Sequence, residues 1–116
     1  MSQKADEFSK ERARLNEIVM QYADLGIKRF FSLDGQVYRE GVLDTKTKEL
    51  MGLVASAVLR CDDCIQYHVI ESRKAGATDQ EFEETMAIGL IVGGSIVIPH
   101  LRRAFEMWHE LRAADE

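Results

Sequence analysis

Proline is nearly missing from this chain: Pro99 is the only one in 116 residues, and no low-complexity tract or proline-rich linker divides the sequence. One domain of this length can bury a real hydrophobic core, although a chain this small gains from oligomerisation. Cysteine is almost as scarce, with Cys61 and Cys64 the only two. Basic charge is also short, since 15 Lys and Arg stand against 20 Asp and Glu for a formal charge of −5. That deficit argues against nucleic acid, which needs clustered cations, and gives no reason to expect an anionic membrane surface. Long apolar runs are absent as well. The longest, Ile88 to Pro99, is too short to span a bilayer and is interrupted by glycines. The opening MSQKADEFSKERARLNE is charged throughout and lacks the apolar stretch of a secretory signal. These absences place the expected location in the cytoplasm. There, two cysteines suit catalysis or metal binding better than a structural staple.

What is present is helix-period hydrophobicity, with no alternating segments flanked by hairpin turns. The expected fold is an all-α, compact bundle of about six helices in a single domain, residues 1–116. A first amphipathic helix is expected from about Ala5 to Leu25, ended by Gly26, with Phe8, Leu15, Ile18, Val19 and Tyr22 at helical spacing. A short second helix should be broken at Asp34 and Gly35, leaving Phe30 and Phe31 in need of cover. Asp44 is a candidate N-cap for a third helix, TKTKELMGLVASAVLR, whose apolar circumference suits the bundle interior. Its polar residues Glu49, Ser56 and Arg60 fall within roughly 40° of one another on one stripe. A fourth helix should run from near Cys61 to about Lys74 and stop at Gly76. Thr78 and Glu81 form a capping-box signature for a fifth, through about Val92. Gly93 and Gly94 break it, and Pro99 suits the first turn of a sixth, which carries Leu101, Phe105, Trp108 and Leu111 on one face.

The chemistry concentrates in CDDCIQYHV, residues 61–69. At the start of a helix, Cys61 and Cys64 lie one turn apart, close enough to open and close as a disulfide. The free N–H groups of that helix end favour a thiolate, and Arg60 helps, whereas Asp62 and Asp63 oppose it. His68 is four residues past Cys64 and within side-chain reach, but roughly 10 Å along the axis from Cys61. As a base it would serve Cys64, and Glu49 on the neighbouring helix could orient it, since a buried glutamate needs a partner. Two other readings stay open. One takes the cysteines as inert core residues; the other has Cys61, Cys64 and His68 hold zinc with Glu49, His100 or His109 as fourth ligand, although a single ligand pair on one helix is unlike most structural zinc sites.

The spacing Glu49, Cys61, Cys64, His68 within ELMGLVASAVLRCDDCIQYH resembles the carboxymuconolactone decarboxylase family, in particular its branch similar to alkyl hydroperoxide reductase D. The likeness covers about residues 40–112. It implies a helical fold assembling into trimers or hexamers, and peroxidase or disulfide reductase chemistry at a redox-active pair. In that scheme Cys64 is the activated thiol, Cys61 its disulfide partner, and Glu49 and His68 a proton relay. A small hydroperoxide or disulfide would be the substrate and a thiol the electron donor, with no cofactor and no metal. Asp63 stands where the peroxidases carry a further histidine. The rival functions are a lyase acting on a small lactone acid through His68 and Glu49, and a zinc-holding or purely structural oligomeric module.

Overall fold

The computed structural model describes residues 2–115. It contains six α-helices and no strand among those residues: α1 (Gln3–Tyr22), α2 (Leu25–Val37), α3 (Thr45–Leu59), α4 (Asp62–Lys74), α5 (Asp79–Gly93) and α6 (Ile98–Ala114), with a 3-10 turn at Ser95–Val97 before α6.

Local chemistry accounts for most of the boundaries. Ser2 caps α1, its hydroxyl accepting the Ala5 N–H, and the Asp44 carboxylate caps α3 by accepting the Thr47 N–H at 2.8 Å. Both halves of the Thr78–Glu81 capping box are formed, satisfying two N–H groups that the first turn of α5 would otherwise leave bare. Gly76, at φ 95°, and Gly94, at φ 83°, end α4 and α5 in backbone conformations that favour glycine.

Two expected boundaries are wrong. The first helix ends at Tyr22 rather than near Leu25, because Asp24 starts α2 as its N-cap, accepting the Leu25 N–H at 2.8 Å. Gly26 therefore lies in the first turn of α2 instead of terminating α1. Nor do Asp34 and Gly35 break the second helix, which continues to Val37. A glycine in a helix costs only about 1 kcal/mol, too little to stop a helix that no competing cap interrupts.

The core lies among α3, α4, α5 and α6. Leu53 and Ala57 of α3, Ile65, Val69 and Ile70 of α4, Phe82 and Met86 of α5, and Met107, Trp108 and Leu111 of α6 are all buried. Phe82 and Trp108 stack with ring centroids 4.4 Å apart, and the indole N–H donates to Asp79 at 2.8 Å, so the large ring is buried with its polar atom satisfied. Gly89 lets α5 approach α3, as a Cβ there would lie 3.3 Å from that of Ala57.

The N-terminal third packs differently. In α1 only Ala5 is buried, and α2 buries nothing. Phe30 is 67% exposed, and Leu15, Ile18, Leu25, Ile27, Phe31 and Leu33 also face outward. The cover expected for Phe30 and Phe31 is thus not supplied from within one chain. The C-terminal end of α2 is nonetheless firmly held. Lys48 donates to the carbonyls of Val37 and Arg39, and the Thr45 hydroxyl to that of Tyr38, pinning the segment after α2 onto α3.

Candidate active site

The end of α3 and the start of α4 are one construction. Arg60 takes a left-handed conformation, φ 59°, and the Cys61 N–H returns to the Ser56 carbonyl at 3.1 Å, a tight helix stop that turns the chain at once into the next helix. Arg60 accordingly leaves the polar stripe of α3 on which the sequence pattern placed it. Cys61 becomes the N-cap of α4, with its sulfur accepting the Cys64 N–H at 3.3 Å. The two cysteines form a disulfide, with Cα atoms 5.3 Å apart. Cys64 is exposed and Cys61 half-buried, so an incoming molecule meets Cys64 more readily.

Glu49 and His68 are both buried and face each other between α3 and α4, with the His68 Nδ1 2.7 Å from a Glu49 carboxylate oxygen. A carboxylate only accepts, so Nδ1 carries the proton and Nε2 is the basic atom of the ring. Nε2 faces the Tyr38 hydroxyl at 3.4 Å. Burial, followed by the charges of Glu49 and Asp34, pushes the Tyr38 phenol above its ordinary range, which keeps its proton available for donation. With the disulfide closed, neither sulfur is among the hydrogen-bond partners of His68. Its two nitrogens are engaged by Glu49 and Tyr38.

Two residues that sequence reasoning passed over shape this pocket. Tyr38 arrives from the segment that Lys48 and Thr45 pin down. Gly52, one turn beyond Glu49, makes room for it: a Cβ there would stand 2.6 Å from the Tyr38 hydroxyl and 2.8 Å from Cε1 of His68. Tyr67 lies edge-on to the His68 ring at 5.2 Å and carries the Arg12 guanidinium over its own ring. Asp63 and Tyr67 line a cavity of about 520 Å³ between α4 and the α1–α2 arm, together with Phe8, Arg12, Phe30 and Phe31.

Among the described residues, no three His, Cys, Asp or Glu side chains are grouped so as to hold a metal ion. His100, one of the candidate fourth ligands for zinc, donates through Nδ1 to Asp62 at 2.8 Å.

The chain is similar to known proteins over most of its length. A sequence model of the carboxymuconolactone decarboxylase family matches residues 27–107. A crystal structure of a Thermotoga maritima member of that family, described with a suggested part in the antioxidative response, superposes with a TM-score of 0.90 at 58% identity, covering 94% of this chain and 92% of the other. An apo family member from Legionella pneumophila gives 0.84 at 27% identity, covering 94% and 97%. A Paracoccus denitrificans protein known as uncharacterized protein 4 in cox locus is 28% identical over 73% of this chain and 77% of its own.

Proposed function

We propose that this chain, which belongs to the carboxymuconolactone decarboxylase family, is a dithiol–disulfide oxidoreductase of the type similar to alkyl hydroperoxide reductase D, reducing a small hydroperoxide or disulfide. The observation that carries the reading is the Cys61–Cys64 disulfide closed at the N-terminus of the helix that, one turn past Cys64, carries His68 of a buried Glu49–His68 pair. The Cys64 N–H in the first turn of α4 donates to the Cys61 sulfur at 3.3 Å, and this helix end favours thiolate in the reduced protein.

With a hydroperoxide, the exposed Cys64 thiolate attacks the distal oxygen, the O–O bond breaks, and an alcohol leaves with a proton. The Cys64 sulfenic acid is then attacked by Cys61, which expels water and forms the disulfide. Two thiols and one hydroperoxide thus give one disulfide, one alcohol and one water. A disulfide substrate instead yields two thiols by exchange, through a mixed disulfide on Cys64. In both routes protons must move at the sulfurs. Nε2 of His68 is the basic atom available, Glu49 fixes its tautomer, and the Tyr38 hydroxyl belongs to the proton path because it already occupies Nε2. A further thiol, the electron donor, returns the pair to the reduced state.

The test is stoichiometric. Reduced protein freed of reductant is treated with limiting hydroperoxide or small disulfide, and its mass and free thiols are measured. The expected result is loss of two hydrogens and two thiols per substrate consumed, restored by a dithiol. Thiols that persist after treatment with either oxidant overturn the reading.

The apolar side chains left outward on α1 and α2 support a second element of the proposal, a homotrimer or hexamer in which those faces are covered by other copies. Light scattering at micromolar concentration should give a trimeric or hexameric mass. A monomeric mass would contradict the assembly.

A further inference from the structure

At the residue that follows Cys61, α6 packs onto the first turn of α4. Both oxygens of the Asp62 carboxylate are taken: Oδ1 by Nδ1 of His100 at 2.8 Å and Oδ2 by the Arg103 guanidinium at 2.8 Å. These donors come from 38 and 41 residues away in sequence, so packing of α6 on α4 creates the cluster. Asp62 immediately follows Cys61, whose sulfur is the N-cap of the same turn. Burial alone would raise the Asp62 carboxyl, but its bonds and charge interactions with His100 and Arg103 outweigh this and hold it below the ordinary range. Asp62 is therefore an anion at neutral pH, and by itself it would oppose a second negative charge on the adjoining sulfur.

We infer that His100 and Arg103 are positioning residues for the redox pair: by engaging both oxygens of Asp62, His100 through a hydrogen bond and Arg103 through its charge, they lower the cost of a Cys61 thiolate and so set the poise of the Cys61–Cys64 disulfide. The inference rests on the redox reading above and adds what regulates it. The charged residues flanking Cys61 and Asp62 in sequence are Arg60 and Asp63, both exposed, and neither makes a hydrogen bond to Asp62. The reaction concerned is the exchange in which the protein disulfide and two glutathione thiols become the protein dithiol and one glutathione disulfide. Anything that stabilises the thiolate draws this equilibrium toward the reduced protein.

The variants should therefore move it in opposite directions. Asp62→Asn removes the anion and leaves the Arg103 cation, favouring the dithiol. Arg103→Gln removes a cation and leaves the anion, favouring the disulfide. Asp62 and Arg103 are both about half exposed, which tempers the effect. A change of about fivefold in the exchange constant is expected for each, or about 20 mV at 29.6 mV per tenfold for two electrons. The full-length protein is titrated in glutathione buffers at pH 9, where thiolate is populated, and the reduced fraction is read by alkylation and mass.

The expected result is opposite shifts that shrink in 1 M salt, with Arg103→Lys and the Asp62→Asn/Arg103→Gln double variant close to wild type. Equal shifts in one direction would mean that the contacts only hold the helix end together, and would overturn the inference, as would no shift in a pair that titrates normally. A pair that stays oxidised at every poise would overturn the redox reading and this inference with it.

Discussion

Cys64→Ser is expected to lose thiol-dependent turnover by a factor on the order of 10³ or more, the scale on which enzymes lose rate when an essential nucleophile is removed. Cys64 is the exposed sulfur of the pair and the one an incoming oxidant meets. Serine keeps the size and the helix turn but supplies no thiolate. The loss should not come from unfolding. A cross-link over three residues closes a very short loop, and by chain entropy it contributes no more than about 2 kcal/mol. The core of Leu53, Ile65, Val69, Phe82 and Met86 remains intact. Circular dichroism and a melting curve should therefore stay close to those of the reduced wild type while peroxide and disulfide turnover vanish. Unchanged turnover would sink the assignment of Cys64. If a Cys61→Ser/Cys64→Ser variant instead acts on a small lactone acid, the Glu49–His68 pair works without sulfur and the lyase reading takes over. The structure gives that rival a specific footing, because both nitrogens of His68 are engaged without either cysteine.

Where a helix end is fixed by residues adjacent in sequence, it could be read in advance. Asp44, the Thr78–Glu81 box and Pro99 act within one turn of their own positions, and the helices begin where they imply. The boundary between α1 and α2 was misplaced because Asp24 and Gly26 are rival signals two residues apart. A cap that satisfies a bare N–H outweighs a glycine that merely lacks helix propensity. The same distinction runs through the site. Glu49 could be connected with His68 because an ionisable group on an apolar helix requires a partner, and one stood at the right offset. Tyr38, Gly52, His100 and Arg103 gave no comparable signal. Tyr38 looks like one more aromatic after α2 until Lys48 and Thr45 fix its backbone. The bonds of His100 and Arg103 to Asp62 exist only once α6 has packed. The outward apolar residues of α2 were legible as a demand for burial, but a single chain cannot show where that demand is met.

Gly52→Ala should be the most damaging change that leaves every hydrogen-bonding group of the site in place. The new Cβ would stand 2.6 Å from the Tyr38 hydroxyl and within 2.9 Å of two atoms of the His68 ring, distances that real Cβ atoms do not tolerate. Something has to move, and little is free to do so. His68 is tied to Glu49 at 2.7 Å, and the backbone around Tyr38 is tied to α3 by Lys48 and Thr45. Overpacking of this kind costs about 1–3 kcal/mol in stability. The larger effect should be on rate, since displacing a catalytic group by about 1 Å can cost on the order of 10²-fold. Steady-state turnover measured alongside thermal melting would separate the two. The collision has two parts, and they can be relieved separately. Adding Tyr38→Phe to Gly52→Ala removes the hydroxyl contact but leaves the one with His68, so stability should recover more than turnover does. If Gly52→Ala alone turned over like wild type, the ring would have room to spare, and the close seating of His68 between Glu49 and Tyr38 would not be what the reaction needs.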